Sequence, residues 1–137
     1  MDIVLEQPAR ARLITSESQD LPVSATLRYS AADPLAVEIV FPPEVSLDGN
    51  TATWIFAREL LEEGLSAPAG SGDVHIWPCG PERTVLEFHA LPGLALIQFD
   101  TAILSRFLLR SYAVVAAGRE DVGPALERGL TSLFGGV

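Results

Sequence analysis

Two histidines and one cysteine are the side chains of this sequence that suggest nucleophilic or metal chemistry: His75, Cys79 and His89. A nucleophilic cysteine needs a histidine within hydrogen-bond reach and a third group that orients the base. His75 and Cys79 are four residues apart in an extended segment, so we expect their side chains to lie about 13 Å apart. That spacing opposes direct proton transfer between them.

Metal binding is the other chemistry that these residues suggest. Zinc needs four protein ligands, or three and a water molecule, and His75, His89 and the carboxylate of Glu87 would supply three. Nothing in the sequence requires the three side chains to meet. The favoured interpretation is two partly exposed strand histidines and a buried structural thiol. We therefore predict no enzyme activity and no catalytic, cofactor-binding or metal-binding residue. A small enzyme or ligand-binding domain that uses His75, His89 or Glu87 is the remaining alternative.

The segment Gly-Ser-Gly-Asp at residues 70–73 is rich in glycine, as phosphate-binding loops are. Such a loop follows a strand and opens a helix, whereas this segment follows a predicted helix and precedes a predicted strand. The chain also has no lysine to reach a phosphate. The segment is predicted to be a flexible connector.

Four residues are predicted to contact a protein partner: Trp77, Glu59, Glu62 and Glu63. Paired carboxylates can carry acid–base chemistry when their environments separate their pKa values. Three glutamates on one short helix are more typical of a solvated face. Strand aromatics such as Trp77 anchor protein interfaces, stack on bases of single-stranded nucleic acid or pack in the core. We expect the core for at least one of Trp54 and Trp77.

The first two-thirds of the chain predicts β-strands. From Leu21 to Tyr29 every second residue is apolar, and this period of two is typical of a half-buried strand. Trp54 and Phe56 share one face of a strand and Ile55 lies on the other, which predicts a central strand covered on both sides. The remaining predicted strands are residues 3–14, 35–41, 45–47, 74–77, 84–89 and 94–99.

Three helices are predicted. The first covers residues 57–63, has Leu60 and Leu61 on its buried side and ends at Gly64. The second covers residues 101–115 with Asp100 as its N-cap. The third covers residues 124–133 and begins with a proline in its first turn. These elements predict a single α+β domain over residues 1–137, with a mainly antiparallel sheet of six to seven strands.

The charge of the chain opposes nucleic acid and anionic membranes as partners. It carries a net charge of −9, and its nine basic residues are scattered arginines. Nucleic-acid binders gain affinity by neutralising phosphates, so an acidic chain without a basic tract starts at a disadvantage. A single cysteine cannot form an internal disulfide, and no signal peptide or long apolar run is visible. We predict a cytoplasmic protein without membrane insertion.

Three sequence blocks occur in a characteristic order. They are LPVSATLRY at residues 21–29 followed by ADPLAV at 32–37, then WIFARELLEEGL at 54–65, and GSGDVHIWP at 70–78. No single block is specific, but the ordered set resembles the SsgA-like proteins of sporulating actinobacteria, and in particular their SsgB-type branch.

The resemblance implies a non-enzymatic regulator of septum formation during sporulation. In that branch the protein helps position the tubulin-like division protein FtsZ. The implied fold is a curved sheet with packed helices, similar to Whirly-type single-stranded nucleic-acid binders and assembled as a bell-shaped trimer. The implied partners are further copies of the chain, FtsZ or other SsgA-like proteins at division septa, with no cofactor.

Single-stranded nucleic-acid binding through a Whirly-like sheet is the alternative function. It requires Arg10, Arg12 and Arg28 to gather on one face beside exposed aromatic side chains.

Overall fold

Seven strands and two α-helices form the part of the chain that the computed structural model describes, which is residues 3–15, 20–45, 49–90 and 93–120. In chain order they are β1 (Val4–Ile14), β2 (Asp20–Ser30), β3 (Ala36–Phe41), β4 (Ala52–Ala57), α1 (Arg58–Gly64), β5 (Val74–Cys79), β6 (Arg83–Ala90), β7 (Gly93–Asp100) and α2 (Thr101–Val114). The strands form one sheet in the order β4-β3-β2-β1-β7-β6-β5, and every neighbouring pair is antiparallel.

Alternation along the strands gives the sheet a covered inner face and an open outer face. In β2, Val23, Ala25, Leu27 and Tyr29 are buried, as their period-two spacing predicts, whereas Leu21 at the strand start is exposed. Residues between them are more exposed. Both helices lie on the inner face, where Leu61 of α1 and three residues of α2 join the core: Leu104, Phe107 and Leu108.

The sheet curls until strands near its two ends touch. Trp54 lies on β4 and Phe88 on β6, which is the fifth strand along from β4 in the sheet order. In a flat sheet these two strands would be about 24 Å apart. Their ring centroids are only 4.9 Å apart, and the rings of Phe41 and Phe56 also approach Phe88, at 5.7 and 6.5 Å. The predicted curved, antiparallel α+β architecture is therefore confirmed.

The prediction that β4 is a central strand is wrong. Among the described strands β4 pairs only with β3 and forms one edge of the sheet. Trp54 and Phe56 point inward and are covered because the sheet curls over them, whereas Ile55 points outward and is 57% exposed. Apolar residues on both faces therefore do not mark a central strand here.

Residues 45–47 were predicted as a strand, but Val45 ends a turn of 3-10 helix that spans Pro43–Val45. Pro43 is the first residue of this turn, where its fixed φ suits a helical conformation. Residues 46–48 and the predicted third helix, residues 124–133, lie outside the described residues.

Gly64 is the last residue of α1, as predicted, but the helix does not end in a left-handed conformation. The residue after it, Leu65, has right-handed helical angles of φ −72° and ψ −23°. Gly64 is instead required for close packing, because a Cβ there would lie 2.3 Å from Cγ2 of Ile76 on β5. The glycine lets α1 lie directly against β5.

The second helix matches its predicted span closely, but its cap differs. Asp100 occupies the N-cap position without a capping hydrogen bond from its side chain. Its carboxylate instead pairs with Arg83, which lies opposite it on β6. The first turn is held by Thr101, whose backbone N–H donates to the Glu82 carbonyl.

Candidate protein-interaction surface

Arg58, the first residue of α1, is a buried cation with only 2% of its surface exposed. Its Nη1 donates to the carbonyl oxygens of Ser111 and Val115 at 3.2 and 2.8 Å, and its Nη2 donates to Oε1 of Glu120 at 2.9 Å. A planar guanidinium can serve several acceptors at once, which an ammonium cannot do in the same geometry. These bonds fix the start of α1 to the end of α2.

Two tyrosine rings complete the surroundings of Arg58. The Cζ atom of Arg58 lies 4.8 Å from the ring centroid of Tyr29 and 4.2 Å from that of Tyr112, distances typical of cation–π contacts. Tyr29 donates its hydroxyl proton to the Pro34 carbonyl at 2.9 Å. Burial raises the pKa of Tyr29, although the nearby charge of Arg58 opposes the shift.

Tyr112 and Glu120 are both shifted by their neighbours. Burial, and then the hydrogen bond that Tyr112 donates to Glu62 at 3.0 Å, raise the pKa of Tyr112 to about 12. Hydrogen bonds from its own backbone N–H and from Arg58 hold the pKa of Glu120 below its ordinary value. The cluster therefore keeps Glu120 charged and Tyr112 neutral at neutral pH.

Glu59, Glu62 and Glu63 are all exposed on α1, as the prediction of a solvated acidic face requires. Leu61 is fully buried and Leu60 is half-buried, so the predicted buried side of the helix is confirmed. The helix has seven residues and would be marginal alone. Arg58 at its start and Gly64 at its end hold it, so the glutamates project from a fixed backbone.

Trp77, the fourth predicted contact residue, lies on the opposite side of the sheet. Ile76 faces α1 through Gly64, and successive residues of a strand point to opposite faces. Trp77 therefore points to the outer face, where Val85 of β6 lies directly opposite it and it is half-buried. The structure does not bring Trp77 together with the three glutamates.

A groove runs between the β4 edge and the turn that precedes β5. It encloses about 710 Å³ and is lined by β4, by the exposed side of α1 and by residues 70–74. Its lining includes the carboxylates of Glu59, Glu63 and Asp73, and no described basic side chain lines it. Trp54 and Leu60, each half-buried, supply apolar surface.

The two histidines approach each other on the outer face. The ring centroids of His75 and His89 are 5.3 Å apart, and Nε2 of His89 lies 2.6 Å from Oε1 of Glu87. His75 is held separately, with its Nε2 at 2.9 Å from the Gly72 carbonyl. Both rings are half-exposed, as predicted. Among the described residues no group of three or more His, Cys, Asp or Glu is arranged to hold a metal ion.

Cys79 does not join the histidines, and the prediction of a buried thiol is wrong. It is the last residue of β5, pairs across the sheet with Arg83 and is exposed. Strand ends lie at the surface, so the thiol is accessible although Ile76 and Val74 of the same strand are buried. The pairing partner that nucleophilic chemistry would need is absent beside it in the described part of the chain.

The arginines that nucleic-acid binding requires share the outer face but are interleaved with acids. Arg10 and Arg12 of β1 line a depression of about 390 Å³ with Arg83, whose partner Asp100 lies in the same depression. Arg28 lies between Glu6 and Glu38, at 3.6 and 3.8 Å. The nearest outer-face tryptophan, Trp77, is three strands from β1, or about 14 Å. This arrangement does not form a continuous cationic groove with aromatic side chains.

The family is decided by comparison with known proteins. The family described as "Streptomyces sporulation and cell division protein, SsgA" matches residues 23–120 of the chain. The chain belongs to the SsgA family. It is 44% identical over 131 residues to the sporulation-specific cell division protein SsgB of Salinispora tropica, covering 90% of this chain and 91% of that protein.

Solved structures of SsgA-family proteins have the same fold. One comes from work on SsgB mutations that correlate with longitudinal cell division during sporulation of Streptomyces coelicolor. It is 36% identical, has a TM-score of 0.78 and covers 88% of this chain and 94% of that chain. The other is an SsgA-like sporulation-specific cell division protein of Thermobifida fusca. It is 34% identical, has a TM-score of 0.77 and covers 98% of this chain and 96% of that chain.

Membership of the SsgA family places the chain in cell division and sporulation, and the family is not one of known enzymes. Neither described helix combines the length and apolar character needed to cross a bilayer. Sequence reasoning missed the buried role of Arg58. The sequence did contain a signal for it, the spacing of two residues from Trp54 to Phe56 and from Phe56 to Arg58. Residues spaced by two share one face of a strand, so Arg58 continues the inner face of β4 into α1.

Proposed function

We propose that this chain is a non-enzymatic adaptor that helps position the septation machinery during sporulation, by direct contact with FtsZ or a related division protein. Its relatives are named as sporulation-specific cell division proteins, which gives the process. We further propose that it acts as a homo-oligomer, with a trimer as the expected assembly, in the cytoplasm at division septa.

The observation that carries the proposal is the fixed display of α1. Arg58 ties this helix to the end of α2 and to the segment after it through three hydrogen bonds, so the three glutamates of α1 are presented on a rigid element. Side chains on rigid elements lose little freedom when a partner binds, which favours binding. The three carboxylates are exposed, and the described residues arrange no nucleophile or base around them, which suits recognition.

Exposed apolar side chains supply the surface that an oligomer would bury. Seven large apolar residues of the described chain are at least 45% exposed, and exposed apolar side chains mark protein-interaction sites where they form a continuous patch. They are Ile3, Val4, Leu21, Leu35, Ile55, Leu94 and Leu109.

The proposal uses two contact surfaces. Trp77 lies on the outer face of the sheet and the glutamates lie on the helix side, so one flat partner surface cannot cover both. We assign one contact to the α1 glutamates and a separate contact to Trp77. In this division, one surface serves self-association and the other serves the division protein.

Light scattering after size exclusion, followed by co-sedimentation with FtsZ polymers, tests the proposal. We expect a single oligomer larger than the monomer and co-sedimentation that saturates with concentration. The triple variant Glu59→Gln, Glu62→Gln, Glu63→Gln and the variant Trp77→Ala should each retain the fold by circular dichroism and lose one of the two properties. A folded wild-type protein that is monomeric and does not pellet with FtsZ or another division protein would rule the adaptor role out.

A further inference from the structure

We infer that the β4 edge and the groove beside it accept an extended, positively charged peptide segment of a partner, which adds as a further strand of the sheet. The inference rests on the proposed function, because it names the kind of partner segment that an adaptor of this shape would hold. No described residue pairs with the open side of β4.

The backbone of β4 is set up to receive a strand. The backbone N–H of Arg58 donates to the Leu35 carbonyl at 2.7 Å, which continues the register in which Ala57 lies opposite Ala36. Bonded pairs alternate along an antiparallel ladder, so Phe56 and Trp54 also bond to β3. Thr53 and Ile55 alternate with these bonded residues, so their N–H and C=O groups point away from the sheet.

The groove is large enough for a strand and is bounded on its far side. β4 is six residues long, or about 20 Å, which matches a segment of five or six residues. The opposite wall is the turn at residues 70–73, which has a positive φ of 114° at Gly70. A Cβ at Gly70 would lie 2.4 Å from the Val74 carbonyl oxygen, so this wall is compact backbone.

The negative charge of the groove favours a positively charged peptide. Glu59, Glu63 and Asp73 line the groove without a basic side chain among the lining residues. A second copy pairing through its own β4 would bring two sets of these carboxylates together, and like charges across an interface are unfavourable. A segment that alternates basic and apolar side chains places its cations toward α1 and its apolar groups over Ile55, because alternate residues of a strand point to opposite sides.

The probe for the test is the fluorescein-labelled peptide Arg-Val-Arg-Val-Arg-Val with an amidated C-terminus, measured by fluorescence anisotropy on the full chain. Two modified peptides carry N-methyl groups on either the arginine or the valine amides. In an added strand only every second N–H bonds to β4. We expect one N-methylated peptide to lose at least tenfold in affinity while the other binds as the parent does. Equal binding of all three peptides would mean attraction by charge alone, and absence of binding at millimolar peptide would also overturn the inference.

Matched variants locate the site. We expect the double variant Glu59→Gln, Glu63→Gln to bind the parent peptide with at least fivefold lower affinity. The control pair Glu44→Gln with Glu82→Gln makes the same charge change at exposed positions outside the groove and should bind normally. Thr53→Pro removes an outward N–H without breaking a bond to β3 and should also weaken binding. If Thr53→Pro fails to fold, the N-methylated peptides still decide the question.

The remaining outcomes separate this inference from the adaptor proposal. If the groove variants still co-sediment with FtsZ polymers and bind the peptide normally, the adaptor stands and the groove inference fails. If the peptide binds as expected but the wild-type chain never joins a division protein, the adaptor fails and the groove inference stands. A wild-type oligomer that Thr53→Pro converts to monomer would make β4 a self-association edge and overturn the peptide assignment.

Discussion

The two edge strands of the sheet, β4 and β5, are protected to different degrees. On the free side of β5, Ile76 exchanges two backbone hydrogen bonds with Ala69, at 2.8 and 2.9 Å, and Pro78 has no N–H to offer. β4 has no such cover within the described residues, contains no proline and points Ile55 outward with 57% exposure. Proteins usually block open edges because they template unwanted pairing.

The difference arises in the segment that follows α1, where Ala69 bonds to the free side of β5, while no described residue bonds to the free side of β4. α1 begins where β4 ends and then packs its last residue, Gly64, on β5. It therefore supports the β5 end and leaves the β4 backbone facing a groove. Four experiments test this comparison, from the largest expected effect to the smallest.

The largest effect is expected from Gly64→Val, which breaks the closed end. The new side chain would collide with Ile76, because even a Cβ lies 2.3 and 2.4 Å from its Cγ2 and Cβ. We expect the free energy of unfolding to fall by about 3 kcal/mol, since overpacking of a filled site forces the backbone apart. Urea unfolding followed by circular dichroism measures the change.

The control for this variant is Gly72→Val in the neighbouring turn. A Cβ at Gly72 would have no atom within 4 Å, so the stability should change by less than about 0.5 kcal/mol. Equal stability of the two variants would mean that close packing of α1 on β5 does not hold this end of the sheet.

The next effect is expected from Arg58→Met, which loosens the start of α1 beside β4. The change removes the donor of the Val115 carbonyl and one of the two donors of the Ser111 carbonyl, which keeps the Val115 N–H. It also removes the cation between the tyrosine rings. We expect a loss of about 2 to 3 kcal/mol in unfolding free energy. Thermal unfolding gives the comparison with the wild type.

Two further arginine variants sharpen that result. Arg58→Lys keeps the charge but cannot reproduce the planar fork, so it should recover less than half of the lost stability. Arg106→Met removes an exposed arginine of α2 and should leave the unfolding temperature unchanged. Full recovery by lysine would show that charge alone, rather than the geometry of the guanidinium, matters at this position.

A smaller effect, on binding rather than on stability, is expected from Ile55→Lys. The side chain points outward and is mostly exposed, so unfolding free energy should change by less than about 0.5 kcal/mol. An added cation beside the groove should lower the affinity for the Arg-Val peptide about fivefold. This corresponds to about 1 kcal/mol, the repulsion of two like charges 4 Å apart in water. Cys79→Lys is the matched change at the exposed end of β5, and this variant should bind the peptide with unchanged affinity. If both variants lost affinity equally, the two edges would not differ in peptide binding.

The smallest effect is a shift in tyrosine titration. The pKa of Tyr112 is raised to about 12 and that of Tyr29 is also raised, so the folded chain should show less tyrosinate absorbance at pH 10 than the unfolded chain. A raised tyrosine pKa contributes stability that is fully present below pH 10 and is lost as the pH rises through about 12. Glu62→Gln removes the acceptor charge and should lower the Tyr112 midpoint. An unchanged midpoint would mean that burial alone sets it.

The alternation of apolar residues and the three ordered motif blocks were sufficient to predict many features of this protein. The inward faces of β2 and β3, the spans of α1 and α2 and the family followed from residue types and spacing. The solvated glutamates of α1 also followed, because three acids beside two leucines define the two sides of a helix. These features depend on contacts between residues close in sequence, and local patterns encode such contacts directly.

Which strands lie at the edges, and which charged side chain is buried, was decided only by tertiary structure. β4 carries apolar residues on both faces like a central strand, yet the curl of the sheet covers one face and leaves the other open. Arg58 reads as a surface residue in a helix, yet its partners Ser111, Val115 and Glu120 lie more than fifty positions later. Pairing order, curl and distant hydrogen bonds join segments far apart in sequence, so no local pattern can specify them.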